Sequence, residues 1–155
     1  MISDRDLSKG KVLVSVCGVI EGKDRSVLLM VEGDFPYHKQ LVLPGGYVRP
    51  QETVPQALIR EVKEETGLRV TPKRLIGLYE DFLTENNEPI NHIIAAYSIE
   101  FVGGSIIFSK EATAYKWLTL NQAFELPEIP QVFKRVLRDF GKKHGRHTLL
   151  RRHPE

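Results

Sequence analysis

Residues 46–68, GYVRPQETVPQALIREVKEETGL, decide the reading of this chain. Inside this stretch Glu61, Glu64 and Glu65 stand at i, i+3 and i+4, directly after Arg60 and just before Gly67. On a helix these three carboxylates share one arc. Like charges at that spacing weaken a helix by roughly 0.2–0.5 kcal/mol per pair. A hard divalent cation, which takes oxygen ligands, reverses the penalty.

A helical wheel sharpens the point. With Val54 at 0°, Val54, Leu58, Val62 and Ile59 fall at about 0°, 40°, 80° and 140°, an apolar arc centred near 70°. Glu64, Glu61 and Glu65 fall at about 280°, 340° and 20°. The opposite side, with Lys63 and Gln56, is the solvent face. The carboxylates therefore flank the buried arc, and Glu65 lies nearly on it. The bland alternative, a solvated charge run, places acids opposite the apolar face. A buried carboxylate needs a partner or a metal.

The ends of the helix are also legible. Thr53 with Gln56 three residues on fits a capping box. Pro55 falls in the first turn, where a missing N–H costs little. Gly67 suits a left-handed residue closing the helix. Pro44-Gly45-Gly46 reads as a tight loop that lets backbone approach a ligand.

The pattern Gly46, five residues, Glu52, seven residues, Arg60-Glu61-Val62-Lys63-Glu64-Glu65-Thr66-Gly67-Leu68 resembles the Nudix box with every defining position filled. The resemblance implies an α+β fold, an α/β/α sandwich with a mixed β-sheet. It implies a metal-dependent pyrophosphohydrolase that cleaves the diphosphate linkage of a nucleoside diphosphate derivative by water attack at phosphorus. By position in the motif, Glu61, Glu64 and Glu65 would bind Mg²⁺ or Mn²⁺, with the carbonyl of Gly45 as a further ligand. Arg60 and Glu52 would pair and hold Glu61 in place, and an i, i+4 pair of Arg60 with Glu64 is compatible with that. In similar proteins another acid precedes the tryptophan of a later strand. Glu111, six residues before Trp117, is the candidate here, as metal ligand or base. Glu64 and Glu111 lead as general base, with Glu61 third. Tyr47 and Arg49 follow the glycines and are candidate substrate contacts. A catalytically silent Nudix domain that binds a nucleotide to regulate a partner is the alternative, although such a domain should lose box carboxylates and this chain keeps all four.

The substrate is less legible. Related ADP-ribose enzymes often place a proline about 15 residues past the box, and dinucleoside polyphosphate enzymes a tyrosine. The window 82–85 holds neither, which lowers both readings. Nucleoside triphosphates, nucleotide sugars and capped or 5′-triphosphate RNA stay open.

Composition sets the remaining bounds. The 155 residues carry 41% hydrophobic and 27% charged side chains, as expected of one soluble domain. No apolar run reaches the length of a membrane span. The polar, acid-bearing N-terminus does not read as a signal peptide. Cys17 is the sole cysteine, which excludes an internal disulfide and fits a cytoplasmic protein with a buried structural thiol. The net charge of +2 is too small to imply nucleic acid. The expected division is a single domain over 1–140 and a basic tail over 141–155, where five Lys/Arg face a single acid. That tail is expected to be solvated, with an RNA, phosphate or subunit contact as alternatives; a homodimer is usual among similar proteins.

Strands are expected at 11–20, 26–32, 41–43, 47–48, 68–82 with an interruption at Thr71-Pro72, 92–102 and 114–118. A turn is expected at 84–89. An amphipathic helix is expected over 127–140, with Ile129, Val132, Phe133, Val136 and Phe140 on one side. Trp117 reads as core, and His38 and His92 as structural or surface residues.

Overall fold

The second half of the apolar run at residues 12–20, from Val16 to Ile20, is buried at the centre of the molecule. The structure is a computed structural model that describes residues 10–107 and 114–143. Among the described residues, seven strands and three helices follow in the order β1 (Lys11–Val19), β2 (Val27–Val31), β3 (Leu41–Val42), β4 (Gly45–Tyr47), α1 (Val54–Thr66), β5 (Arg69–Glu85), β6 (Glu88–Gly103), β7 (Tyr115–Leu118), α2 (Leu120–Glu125) and α3 (Gln131–Lys143). One sheet has the order β4-β1-β6-β5 and a smaller one β3-β2-β7. β1 and β6 run parallel, from Lys11 opposite Ile90 to Val19 opposite Ser98. The other pairings are antiparallel, so the larger sheet is mixed.

Period-two alternation sends the side chains of the central strands into two separate cores. Val16 and Ala95 join Leu28, Ala57, Leu58 and Val62 beneath α1. Their neighbours Cys17, Ile94 and Ala96 join Phe133, Val136, Leu137 and Phe140 of α3. Helices thus cover both faces, and the α/β/α layering expected from the sequence is the observed one. Burial on two sides explains why the second half of β1 is a nearly continuous apolar run rather than an alternating one. Cys17 is a free, buried thiol, and burial pushes its pKa up to about 12. That is the inert structural cysteine the sequence suggests.

Four expectations are corrected. Thr71-Pro72 does not break β5, which runs unbroken for 17 residues. Because β5 lies at the sheet edge, it absorbs the proline with register shifts between Pro72 and Arg74 and between Leu75 and Gly77. The expected turn at 84–89 shrinks to Asn86-Asn87, both at positive φ (51° and 64°), as a two-residue hairpin loop requires. Pro44-Gly45-Gly46 is not a free loop, since Gly45 and Gly46 belong to β4 and pair with Cys17 and Val16. Finally, α2 has no counterpart in the sequence reading, although Thr119 and Gln122 form a complete capping box at its start.

The last helix begins at Gln131 rather than at 127, so Ile129 precedes it; Ile129, Val132, Phe133, Val136 and Phe140 are nevertheless all buried, together with Leu137. The helix continues past Phe140 to Lys143, so the first residues of the expected tail are helical. The rest of that tail lies outside the described residues. Among the described residues no helix is long and apolar enough to cross a membrane.

Candidate active site

α1 forms as its sequence dictates. The Thr53 side chain accepts from the Gln56 amide, the Gln56 side chain accepts from the Thr53 amide, and proline sits in the first turn. Gly67 closes the helix at φ 74°, with its N–H donating to the Lys63 carbonyl. Ala57, Leu58, Val62 and Thr66 are buried. Ile59, expected at the edge of the apolar arc, is exposed. The buried arc is therefore rotated toward Ala57, and it brackets Glu61 and Glu65.

The three carboxylates accordingly differ in environment. The Glu61 side chain is 15% exposed and that of Glu64 46%. Glu65 is half-buried, and its Oε2 accepts from the Gly45 amide at 3.0 Å. Gly46 lies directly over Glu61. A Cβ there would come within 2.5 Å of the Glu61 carboxyl carbon, so only glycine leaves that carboxylate its place. Gly45 is equally constrained, because a Cβ on it would meet the Val16 carbonyl at 2.0 Å. These two glycines allow β4 to lie closely between β1 and α1.

Arg60 ties the cluster together. Its Nε donates to Glu52 Oε1 at 2.7 Å and its Nη2 to Glu52 Oε2 at 3.0 Å, a two-pronged pair. Nη1 donates to Glu61 Oε1 at 2.6 Å and to Glu64 Oε2 at 3.3 Å. Nη2 also donates to the Tyr47 carbonyl at 3.1 Å, joining the helix to β4. Glu52 further accepts from the Arg49 amide at 3.0 Å. The Arg60 hydrogen bonds, followed by that amide, hold the Glu52 carboxyl at a pKa of about 2. The same bonds, with Glu52 foremost, raise the pKa of the guanidinium. The pairing of Arg60 with Glu52, the contact with Glu61 and the i, i+4 contact with Glu64 are thus all present together. The Arg60 guanidinium offsets part of the repulsion among the carboxylates it touches.

No three or more His, Cys, Asp or Glu among the described residues form a ready-made cage for an ion. The donor set nevertheless has the chemistry of a hard-cation site, with carboxylate oxygens along one arc and a glycine leaving space over Glu61. Arg60 engages one oxygen of Glu61 and one of Glu64. Glu111 lies outside the described residues. The Arg49 side chain is exposed, while its backbone amide donates to the Glu52 carboxylate at 3.0 Å and its carbonyl accepts from the Glu52 amide at 3.2 Å.

Tyr47 turns its ring away from Arg60. The ring lies 6.0 Å from that of His92 and borders a cavity of about 60 Å³. Ser15, Glu32, Tyr37, Gly45, Gly46, His92 and Phe133 also line it. Tyr47 itself is 41% exposed. Burial, then Glu85 and Glu32, raises the pKa of its hydroxyl. The sequence reading did not foresee this cavity. His92, read as structural or surface, is 3% exposed and stands at the centre of its polar lining. A histidine among isoleucines in a strand was the available signal. Trp117 is not core either: it is 38% exposed and lines a separate surface cavity with Ile20, Leu68 and Phe101.

Comparison with known proteins places this geometry. The family model described as the NUDIX domain matches residues 11–140. An ADP-ribose pyrophosphatase of Methanocaldococcus jannaschii is 32% identical over 151 residues, covering 94% of this chain and 85% of that protein. A MutT-like protein of Streptomyces ambofaciens is 33% identical over 112 residues, covering 72% of this chain and 67% of that protein. Among solved structures, the MutT protein of Methanosarcina mazei superposes with a TM-score of 0.79 at 25% identity, covering 88% of this chain and 97% of the other.

Proposed function

This chain belongs to the Nudix family and is a hydrolase of phosphorus-containing acid anhydrides, and on that premise we propose that it is a divalent-metal-dependent pyrophosphohydrolase of nucleoside diphosphate derivatives. The observation that carries the proposal is the arc of Glu61, Glu64 and Glu65 on α1, positioned by Arg60 and Glu52 beneath Gly46. Glu61, Glu64 and Glu65, with the Gly45 carbonyl, would hold Mg²⁺ or Mn²⁺, joined by Glu111 from outside the box. When bound, the ion supplies positive charge against the diphosphate and lowers the pKa of the attacking water.

The residues of the chain divide the remaining work. Glu52 fixes Arg60 through two hydrogen bonds, and Arg60 fixes Glu61. The Gly45 amide fixes Glu65. Glu64, the most exposed of the three, is best placed to meet a water and take its proton. Positioning and electrostatics are what this reaction demands, since the protein has little covalent chemistry to perform. The cavity beside Tyr47 adjoins the glycines over Glu61 and would receive part of the nucleoside, and Arg49 stands ready for a phosphate.

The 32% identical ADP-ribose pyrophosphatase puts ADP-ribose first among the substrates to try, although the window at 82–85 lacks the proline of many such enzymes. The test is phosphate or nucleotide release from a panel of ADP-ribose, nucleoside triphosphates, dinucleoside polyphosphates, nucleotide sugars and 5′-triphosphate RNA. It is run with Mg²⁺, Mn²⁺ or EDTA, with Glu64→Gln as control. Metal-dependent cleavage of one class is expected. Nucleotide binding without turnover of any substrate would replace the proposal with a silent regulatory domain.

A further inference from the structure

Four residues distant in sequence form a hydrogen-bonded chain, and three of them, Ser15, Tyr37 and His92, line the cavity. The Tyr37 hydroxyl donates to Asp81 Oδ2 at 2.9 Å. His92 Nδ1 lies 3.2 Å from the same hydroxyl, and His92 Nε2 lies 2.5 Å from Ser15 Oγ. Ser15, Tyr37 and His92 are each more than nine-tenths buried.

Donor arithmetic gives this chain a direction. A carboxylate only accepts, and a phenol has one proton. Since Tyr37 gives its proton to Asp81, its oxygen must accept from His92, which places a proton on Nδ1. Burial holds the His92 pKa below its ordinary value, so the ring is neutral and Nε2 is an acceptor. Ser15 must then donate to Nε2. Its single proton is committed, and only lone pairs remain to face the cavity that it lines. Glu32, on the same wall, is a carboxylate and also accepts; its Oε1 takes the amides of Gly33 and Asp34. The Tyr47 hydroxyl is the adaptable polar group of the lining.

A small cavity whose fixed polar groups all accept selects a ligand edge that donates. Resting on the nucleotide-hydrolase reading above, we propose that Ser15, set as an acceptor by the Asp81–Tyr37–His92 chain, is the specificity residue that favours nucleobases presenting an amino group over their deaminated, carbonyl-bearing counterparts. A carbonyl oxygen against Ser15 would leave two acceptors facing each other, and an unmatched buried polar pair is costly. The cavity of about 60 Å³ suits one edge of a ring, so the group on that edge decides the outcome.

The experiment has two arms, neither of which requires turnover. The first reads the His92 tautomer in the free protein by nitrogen NMR, in the wild type and in Asp81→Asn. Protonation at Nδ1 is expected in the wild type, with loss of that bias in the variant, because a carboxamide can also donate to Tyr37. The second titrates AMP against IMP, and CMP against UMP, into the full chain by calorimetry. These monophosphates contain no anhydride, so binding is read apart from hydrolysis. For whichever ring size binds, the amino member should bind roughly tenfold tighter, and Ser15→Ala should bring the ratio to within about twofold. Protonation at Nε2, equal affinities, preference for the carbonyl base, or no binding of any monophosphate would each overturn the proposal. Amino preference in a protein without hydrolytic activity would instead sink the hydrolase reading and leave the selectivity of the cavity standing.

Discussion

The two polar regions that meet at β4 are built on opposite physical principles. The carboxylate arc of α1 is ionic and partly solvated, and its residues all come from one 14-residue stretch, 52–65. One arginine makes four hydrogen bonds to Glu52, Glu61 and Glu64, and the Gly45 amide meets Glu65. The chain Ser15–His92–Tyr37–Asp81 is largely buried, burial holds its histidine below the ordinary pKa against the pull of Asp81, and its members come from four separate parts of the sequence. Glu64, 46% exposed, can be lost from the charged cluster with little harm to the fold, because water replaces the partner. A buried chain tolerates no such loss, because each group depends on the next. The first region should therefore carry the rate, and the second stability and choice of base.

Each of the following outcomes would sharpen or break that division. The largest effect is expected on removal of the divalent ion: EDTA should bring anhydride cleavage to background while leaving the thermal midpoint within a few degrees, as a calorimetric scan would show. Next, Glu64→Gln should lower kcat by about 10²- to 10³-fold with unchanged stability and an unchanged AMP-to-IMP affinity ratio. A variant of near wild-type rate would remove Glu64 from the chemistry. Arg60→Ala should cost about 10- to 100-fold in activity, through misplacement of Glu61. It should also return the Glu52 carboxyl from about 2 toward its ordinary 4.5, as a carbon NMR titration would follow. His92→Phe should reverse the pattern, losing about 1–3 kcal/mol of stability in urea unfolding, since Ser15 and Tyr37 lose their partner, while metal activation persists.

The smallest expected effects are in the pH dependence of stability, and the two regions act in different windows. The folded pKa of Glu52 is depressed, so its contribution is present above 4.5 and is lost as pH falls toward about 2. The folded pKa of His92 is also depressed, so the folded state binds fewer protons and stability declines as pH falls below 6.5. Unfolding curves between pH 7 and 5 should flatten in His92→Phe and not in Arg60→Ala. If both variants flattened in the same window, the two regions would be one coupled network.

The parts of the molecule that were misread share a cause. Thr71-Pro72 looks like a break until β5 is seen to lie at an edge, where a missing donor is tolerated. Gly45 and Gly46 look like a loop until their closeness to Val16 and Glu61 shows two layers meeting there. Trp117 looks like core because it is large and apolar, yet its strand belongs to the small three-stranded sheet and leaves the ring partly in water. Ile59 marks the same limit on the wheel, where a rotation of the buried arc toward Ala57 decided its exposure. Only Glu111 among the candidate site residues lies beyond the described part of the chain.

The sequence by itself determined everything that depends on neighbours along the chain. Helix period and capping place Glu61, Glu64 and Glu65 on one arc and Arg60 within reach of Glu64, whatever the rest of the protein does. The spacing of the box is a statement about one helix and the turn before it, so it can be read without a fold. Tertiary structure alone decided which of those carboxylates is buried, and that Gly46 sits over Glu61. It also decided that a serine and a histidine 77 positions apart share a hydrogen bond. That last contact follows from the parallel pairing of β1 with β6, a register set by two cores packing on opposite faces of one sheet. Packing of that kind is a property of the whole chain, and no local pattern encodes it.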